Sequence, residues 1–413
     1  MPRALVVADD LTGATDTAHA FAKRRYETAV QLDPEGEPPE TTVLAVTTES
    51  RYADPETAAN RVRRTIETTD APIVYKKVDS TLRGNVLVEI RAAMDCGFDV
   101  GIFAPASPAL GRLTAGGYHL VDGRLLTDTE YADDPNGPTE AHLPALFAGI
   151  DSTAHLGIET VAAGSAAVQG ALLDAPAGAI LTCDATHGRH LAAIARASEE
   201  LDGRPLYVGS AGLAEHVSVP GSPGRKPRRP VRAGGALGIV GSVSERSLKQ
   251  LSALPESWVI ALDPSELIAN PERAGRAAGR RTASRLAGGE HAVVTAAPDR
   301  AAVERTLERG REIGLGGVAV RSCVARALAS AGEAGIEDTA GLFVTGGDVA
   351  MAVFDRLNVR ALSLSGAEIE AGIPVSRLDG GPADGVPVVT KAGGFGREET
   401  VINCLDFFGG DNE

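Results

Sequence analysis

The sequence predicts an α/β protein: two α/β domains with largely parallel sheets and an interdomain active-site cleft. Three observations carry that expectation. At 413 residues the chain is too long for one ordinary core and suits two domains. Short β-branched runs recur, each followed by a Gly/Ser/Asp loop and a helix-like segment, the alternation that builds parallel strands with crossover helices. The stretch Ser218–Gly235 (SVPGSPGRKPRRPVRAGG) is dense in Pro and Gly and can continue neither a helix nor a central strand. It separates expected domains 1–217 and 236–413, with 218–235 as the linker.

Composition bounds the function. Hydrophobic residues make up 43% and aromatics only 4%, so the cores are built from Ala, Val, Leu and Ile. A formal charge of −15 argues against a nucleic-acid partner, which needs clustered cations. The basic cluster Arg225–Arg229 reads as solvated linker instead. No apolar run reaches the ~20 residues that span a bilayer. The opening Met1-Pro2-Arg3 and Ala4–Ala8 are too short for a signal peptide, so the expectation is a cytoplasmic protein with no membrane partner. Cys96, Cys183, Cys323 and Cys404 lie far apart, with no Cys-x-x-Cys pair, and read as small buried hydrophobes. His187 and His190 share a helix face but lack a third ligand nearby, so they read as surface residues.

In the first half, Leu5–Ala8 runs into Asp9-Asp10-Leu11-Thr12-Gly13-Ala14-Thr15-Asp16, and Ile73–Val78 into Asp79-Ser80-Thr81-Leu82-Arg83-Gly84-Asn85, followed by helix-spaced Val86–Met94. Ligands of such sheets sit outside the carboxyl ends of the strands, where these loops fall. The polar segment Asp128–Glu140 reads as a loop flanking a site. The second half repeats one design three times. Leu237–Val240 leads into Gly241-Ser242-Val243-Ser244, Leu342–Thr345 into Gly346-Gly347-Asp348, and Val386–Thr390 into Lys391-Ala392-Gly393-Gly394-Phe395-Gly396. Helix N–H groups are unpaired there and the dipole favours an anion, while glycine lets a phosphate approach closely. Ser242 and Glu245 also fit a Ser-x-x-Glu capping box, the plain structural alternative for that loop. None matches a P-loop or the Rossmann fingerprint.

Together these loops resemble the four-carbon acid sugar kinase family, formerly a domain of unknown function. The matching segments are ADDLTGATD (8–16), KVDSTLRGN (77–85), APASPALGRLTAGG (104–117), VGSAGL (208–213), VGSVS (240–244), TGGDVA (345–350) and TKAGGFG (390–396). They fall in family order along nearly the whole chain. The resemblance implies an N-terminal domain that binds the sugar acid and a C-terminal domain that binds ATP. It implies Mg²⁺-assisted phosphorylation of the terminal hydroxyl of erythronate, threonate or 3-oxo-tetronate. It places the sugar acid near Asp9, Asp10, Asp16, Asp79, Ser80, Arg83 and Asn85, with Arg51 and Arg112 nearby. It places ATP near Ser244, the loop Gly346, Gly347, Asp348 and Val349, and Gly393 and Gly394; Ser242, Thr345 and Lys391, in the same loops, are further nucleotide-binding candidates. Two positions depart from the family: Ser107 stands where an aromatic is frequent, and Val349 where Thr is common.

Phosphoryl transfer needs charge neutralisation, alignment and a group that accepts the hydroxyl proton. Asp10, at a strand end, is the favoured base, with Asp16 and Asp79 as the other candidates. A helix cap is the structural alternative for Asp10 and a surface charge for Asp16. Arg83 offers a bidentate fork to a carboxylate, or a structural ion pair. Asp348 holds Mg²⁺ or a ribose, or simply suits a helix start; no metal ligand set is legible. Lys391 meets a phosphate or stands exposed. Lys76 and Lys77 point to opposite faces of one strand, so only one reaches the cleft. An isomerase or lyase acting on a phosphorylated sugar acid, and a non-catalytic nucleotide and sugar-acid sensor, are the competing functions. Neither the particular acid nor the number of subunits is legible, and a homodimer is one assembly the sequence permits.

Lysine occurs six times among 40 basic residues, the rest being arginine. An acidic, Lys-poor surface suits a salt-adapted protein, although a high-GC genome also favours arginine. Self-repulsion is screened over a Debye length of ~10 Å at 0.1 M salt. Tm is therefore expected to rise as KCl is taken into the molar range; a Tm that is flat or falls assigns the arginine bias to the genome.

Overall fold

A computed structural model of the chain describes residues 1–149, 152–221, 224 and 234–409. It forms two compact units, Met1–Arg225 and Lys226–Glu413. Of the expected linker, 222, 223 and 225–233 lie outside the described residues. Its first residues are held on the first unit: Val219 is buried, its carbonyl accepts from the Tyr26 hydroxyl at 3.3 Å, and Arg3 Nη1 donates to the Pro220 carbonyl at 2.8 Å.

The strands of the first unit are β1 (Ala4–Ala8), β2 (Thr28–Gln31), β3 (Val43–Thr47), β4 (Ile73–Lys77), β5 (Val100–Ala104), β6 (Arg112–Ala115), β7 (Tyr118–Val121), β8 (Arg124–Leu125), β9 (Thr153–Leu156), β10 (Ala179–Cys183) and β11 (Pro205–Gly209). The main sheet runs β2-β3-β1-β4-β11-β5-β10-β9, with its pairs parallel. β6, β7 and β8 form a separate antiparallel sheet. Strands such as β1 and β3 are buried at every position, which explains their unbroken apolar runs.

Topology positions the site. β1 pairs with β3 on one side, Val6 opposite Ala45, and with β4 on the other, Val6 opposite Tyr75. The chain leaves β1 toward β2 and β3, then crosses to β4, and such a reversal opens a crevice at the carboxyl ends of the strands. Three loops therefore meet: Asp9–Asp10 after β1, Thr48–Arg51 after β3, and Val78–Asn85 after β4. Backbone bonds lock the first two together, Thr48 N donating to Ala8 O at 2.8 Å and Ser50 N to Asp9 O at 2.9 Å.

The second unit contains β12 (Leu237–Val240), β13 (Val259–Ala261), β14 (Ala292–Thr295), β15 (Leu342–Thr345), β16 (Ala361–Glu370), β17 (Ile373–Asp379) and β18 (Pro387–Lys391). Their order is β13-β14-β12-β15-β18-β17-β16. The first five are parallel, while β16 and β17 pair antiparallel, as do β17 and β18, a departure that the strand–loop–helix pattern did not locate. β12, β15 and β18 are consecutive neighbours, so the three glycine loops open on the same sheet end. Cores without many aromatics are closed by small residues. Where the helix Pro271–Ala287 crosses Gly317–Gly335, a Cβ on Gly275 or Gly279 would run into the Ala327 or Ala331 carbonyl.

A buried ion pair underlies the loops of the first unit. Lys76 Nζ lies 2.8 Å from Glu89 Oε2 with both side chains out of water, and it also donates to the Lys77 carbonyl at 2.6 Å. The other Glu89 oxygen accepts from Ser50 Oγ at 2.5 Å. Removing one partner of such a pair strands the other charge. Glu89→Ala is expected to lower unfolding stability by about 3–5 kcal/mol, read by urea titration, whereas an exposed pair contributes about 0–1 kcal/mol.

Candidate active site

Asp9 and Asp10 sit side by side where β1 ends, and burying two adjacent carboxylates demands a counter-charge. Arg51 supplies it to both. Its Nε and Nη2 donate to the two oxygens of Asp9 at 2.7 and 3.0 Å, and Nη1 pairs with Asp10 Oδ2 at 2.7 Å. Burial alone would raise the Asp9 carboxyl, but the Arg51 charge and hydrogen bond bring it below its ordinary value. At Asp10 burial wins over Arg51, with the Asp9 charge adding to it, and the carboxyl is raised. Asp10 Oδ1 also accepts from Gly13 N at 2.7 Å, capping the helix Leu11–Lys23. The cap and the proposed proton acceptor are thus one residue, held rigidly by two donors.

Asp79 differs. Its Oδ2 accepts from Arg83 Nε at 2.7 Å and Thr81 Oγ1 at 2.5 Å. Burial pushes its carboxyl up, but the Arg51 and Arg83 guanidinium groups hold it far below the ordinary carboxylate range. Such a group is a weak proton acceptor. Of the two lysines, Lys76 is committed to Glu89, and Lys77 faces the acids. Lys77 Nζ lies 3.1 Å from where a Cβ on Gly13 would stand, and its charge lowers Asp9, Asp10 and Asp79 alike.

The remaining expected residues divide. Asp16 lies on the helix Leu11–Lys23, and its charge acts on the buried Tyr75 hydroxyl. Asn85 Nδ2 donates to the Ser50 and Ala53 carbonyls at 2.9 and 3.0 Å, tying the third loop to the second. Ser80 takes part through its carbonyl, which accepts from His119 Nε2 at 2.8 Å. Arg112, on β6, donates through Nη2 to the Tyr131 hydroxyl at 3.1 Å. The loop 128–140 does flank this site: Asn136 accepts from Gly84 N at 2.8 Å and its Nδ2 donates to the Arg51 carbonyl at 2.8 Å. Ser107 is buried and pairs through its backbone with Arg112.

Three residues escaped the sequence reading. Glu49, exposed, holds a left-handed φ of 45° near the start of the second loop, accepts from Thr47 Oγ1 at 2.5 Å, and has its carboxyl raised by desolvation and by the Asp10 charge. Tyr131 carries no motif. His119 is a lone histidine on a short strand, without any signal in the sequence. His190, expected at the surface, is buried while His187 is exposed, because the inner face of the helix Gly188–Ser198 packs on the unit. Cys183 and Cys404 are buried, as expected, but Cys96 and Cys323 are only half-buried.

In the second unit the loops are built from carbonyls and hydroxyls. Ser244 caps the helix Glu245–Ser252, accepting from Ser247 N at 3.2 Å. The anticipated capping box at Ser242 does not form, since the turn after β12 delays the helix by two residues. Ser242 Oγ instead accepts from Ser244 N at 3.4 Å. Ser244 Oγ and Ser247 Oγ donate to the Gly393 carbonyl at 2.7 and 3.1 Å, joining the first loop to the third. Thr345 Oγ1 donates to the Lys391 carbonyl at 2.9 Å, joining the second to the third. Val349 is buried against Gly241, where a Cβ would overlap its methyls, so it packs the loop from below. Gly346 has φ 99°, and a Cβ there would press on the Ser242 and Gly241 backbone. Gly347 and Gly394 face open space, with nothing within 4 Å of an added Cβ. Asp348 lies exposed in the first turn of the helix Gly347–Arg356.

Lys391 ends β18 and turns inward. Its Nζ donates to the carbonyls of Ala392, Phe395 and Gly393 at 3.0, 3.2 and 3.4 Å, and burial pushes its pKa down to about 8. The ammonium thus holds its own loop closed. Gln250 Nε2 supports the same loop, donating to Phe395 O at 3.1 Å and Arg397 O at 2.6 Å. The segment then bends at Gly396, whose φ is 84°, and the following helix starts at Thr400.

Residues 4–217 match a family model described as a sugar-binding N-terminal domain, and 237–401 one described as a nucleotide-binding C-terminal domain. The chain is 31% identical to the D-threonate kinase of Salmonella typhimurium over 97% of each chain. It belongs to the four-carbon acid sugar kinase family, a family of phosphotransferases. Other relatives are the D-threonate kinase of Bordetella bronchiseptica, 33% identical over 97% of this chain and 96% of that one, and the D-erythronate kinase of Heliobacterium modesticaldum, 30% identical over 98% and 97%. A crystal structure of a Haemophilus influenzae protein from the DUF1537 family shares the fold, with a TM-score of 0.76 at 21% identity over 98% of this chain and all of that one.

His119 links the β6–β7 hairpin to the third loop of this kinase-family chain. Its Nε2–H donates to Ser80 O and its Nδ1 accepts from Thr114 Oγ1 at 3.0 Å, which requires the neutral ring. Burial pushes its pKa from 6.5 down to about 4. A histidine depressed on folding contributes stability that is complete above the unfolded value and lost as pH falls through the folded one. The Tm advantage of wild type over His119→Gln is therefore expected to be constant above pH 6.5 and to shrink toward pH 4, measured by calorimetry across that window.

Proposed function

We propose that this chain uses MgATP to phosphorylate the terminal hydroxyl of a four-carbon sugar acid, bound by the first unit, with the nucleotide bound by the second. The observation that carries the reading is Asp10: a half-buried carboxyl, raised by desolvation and by the neighbouring Asp9 charge, and fixed by Gly13 N–H and Arg51 at the end of a central strand. A raised pKa makes a carboxylate a better proton acceptor near neutrality, and rigidity keeps it at one oxygen. The relatives named D-threonate, D-erythronate and 3-oxo-tetronate kinase support the substrate class.

In this reading Asp10 takes the proton of the terminal hydroxyl as that oxygen bonds to the γ-phosphorus and the bond to the β–γ bridging oxygen breaks, releasing ADP. Arg51 and Lys77 balance the charge of the acid cluster, and Asp79 orients Arg83 rather than accepting a proton. Asp16 and Asn85 support the first unit's loops. The open face of Gly347, in the first turn of the helix Gly347–Arg356, leaves room for phosphate oxygens at a helix start. No group of three or more His, Cys, Asp or Glu side chains able to hold a metal is found among the described residues. In this reading Mg²⁺ enters with the nucleotide, held mainly by phosphate and water oxygens. Among the described residues no single helix is long and apolar enough to cross a membrane.

The test is ADP release with D-threonate, D-erythronate and 3-oxo-tetronate as acceptors. Asp10→Asn is expected to lower kcat by ~10²-fold or more with the ATP KM nearly unchanged. Gly347→Val, whose Cβ would have no contact within 4 Å, is expected to raise the KM for ATP well above its effect on the acid. No acid-dependent ADP release would end the kinase reading, and a normal kcat in Asp10→Asn with loss in Asp79→Asn would move the base to the third loop.

A further inference from the structure

Arg83 and Arg112 approach Tyr131 from two separate elements. Arg83 lies on the loop after β4, Arg112 on β6, and Tyr131 in the short helical turn Glu130–Asp133. Their guanidinium carbons stand 5.4 and 6.0 Å from the centre of the Tyr131 ring. The ring itself packs against the buried apolar cluster around Leu126, Leu143 and Phe147, so it is anchored from beneath. Its hydroxyl accepts from Arg112 Nη2 at 3.1 Å. Its own proton is committed to no group among the described residues.

The two arginines differ in how much charge they have left. Arg83 is neutralised by Asp79 at 2.7 Å and by Asp134 at 3.9 Å. Arg112 makes no ion pair among the described residues. Its Nη1 donates to the Leu110 carbonyl and its Nη2 to Tyr131, while its Nε is shielded from water with no hydrogen-bond partner. A buried guanidinium donor without an acceptor is costly, and an oxygen anion would satisfy it. One uncommitted charge and few free donors suit a monoanion in size and charge better than a phosphate. Asp79, which pairs with Arg83, ties this patch to the acid cluster, since Arg51 also acts on Asp79.

We propose that Tyr131, with Arg112, forms the subsite for the substrate's carboxylate. The Arg112 side chain donates to one carboxylate oxygen and the Tyr131 hydroxyl donates to the other. Tyr131 is then a specificity residue: it makes the enzyme require an acid rather than the corresponding neutral polyol. This rests on the sugar-acid kinase reading and names the end of the substrate opposite the phosphorylated hydroxyl. A ring that only supports the loop would act equally in Tyr131→Phe and wild type, because Phe keeps the packing.

The experiment compares wild type, Tyr131→Phe and Arg112→Lys in two assays on the full chain. In turnover with D-threonate and D-erythronate, Tyr131→Phe is expected to raise the KM for the acid about tenfold, the worth of one hydrogen bond to a charged group, with a smaller change in kcat and in the KM for ATP. The ratio of kcat/KM for the acid over erythritol should fall by the same factor, and Arg112→Lys should lower it further. Calorimetric binding of the acid without ATP reads the subsite independently of catalysis. Wild type that binds the acid tenfold more tightly than Tyr131→Phe, yet releases no ADP, would sink the kinase reading and keep the subsite. Wild type that turns the acid over, with Tyr131→Phe unchanged in acid KM and in discrimination against erythritol, would overturn the subsite and keep the kinase.

Discussion

Arg51 is the interaction on which the first unit's site depends. Two consecutive aspartates at a buried strand end repel one another and lose their hydration, and neither is tolerated there alone as an ion. One guanidinium resolves this asymmetrically. It grips Asp9 with two parallel hydrogen bonds and leaves Asp10 a single contact. The outcome is a pair of neighbouring carboxyls with opposite shifts, one held ionised and the other raised. Divergent shifts on adjacent titratable groups are the usual mark of divided labour in a site. Around this centre the polar chain continues inward through Ser50 and Glu89 to Lys76, so the loop that carries Arg51 is fixed from below as well as from the strand side.

The second unit solves a different problem with different chemistry. A site for a polyanion needs N–H donors at helix starts and a backbone that keeps its shape while side chains stay out of the way. Here the three loops are stitched by serine and threonine hydroxyls and by the Lys391 ammonium, all directed at carbonyl oxygens of Lys391–Phe395. Lys391 takes part in this, its ammonium donating to the carbonyls of Ala392, Gly393 and Phe395 while burial reduces its basicity.

The β6–β7 hairpin carries Arg112 and borders the loop that follows β4. It is attached to the main sheet's loops through His119 and through the backbone pairing of Thr114 with Ala185. Asp184, buried beside it, accepts from the N–H groups of Gly116, Gly117 and Ile158 at 2.7, 2.9 and 2.9 Å, which explains the paired glycines of the AGG turn. The hairpin's position is thereby set by the His119 and backbone hydrogen bonds and by the Asp184 carboxylate, and Arg112 makes no ion pair with a carboxylate among the described residues.

The sequence by itself determined the class of fold, since strand, loop and helix alternate with a local signature in every segment: buried β-branched runs, glycine at the turns, Asp10 or Ser244 ahead of a helix. It also located the loops that carry chemistry, because glycine and aspartate are costly elsewhere and so mark strand ends. What it left undecided was which side chains meet. Arg51 lies 42 residues from Asp9, and only the parallel pairing of β3 with β1 brings it there. Lys76 and Lys77 alternate across one strand, yet which faced the acids depended on where the helix Val86–Met94 placed Glu89. His119 and Tyr131 carry no local pattern, because a lone ring on a short strand or turn gains its role from partners far along the chain. Charge pairing, hydroxyl donors and burial are contacts in space, and the order of strands in the sheets, which no short segment encodes, decided them.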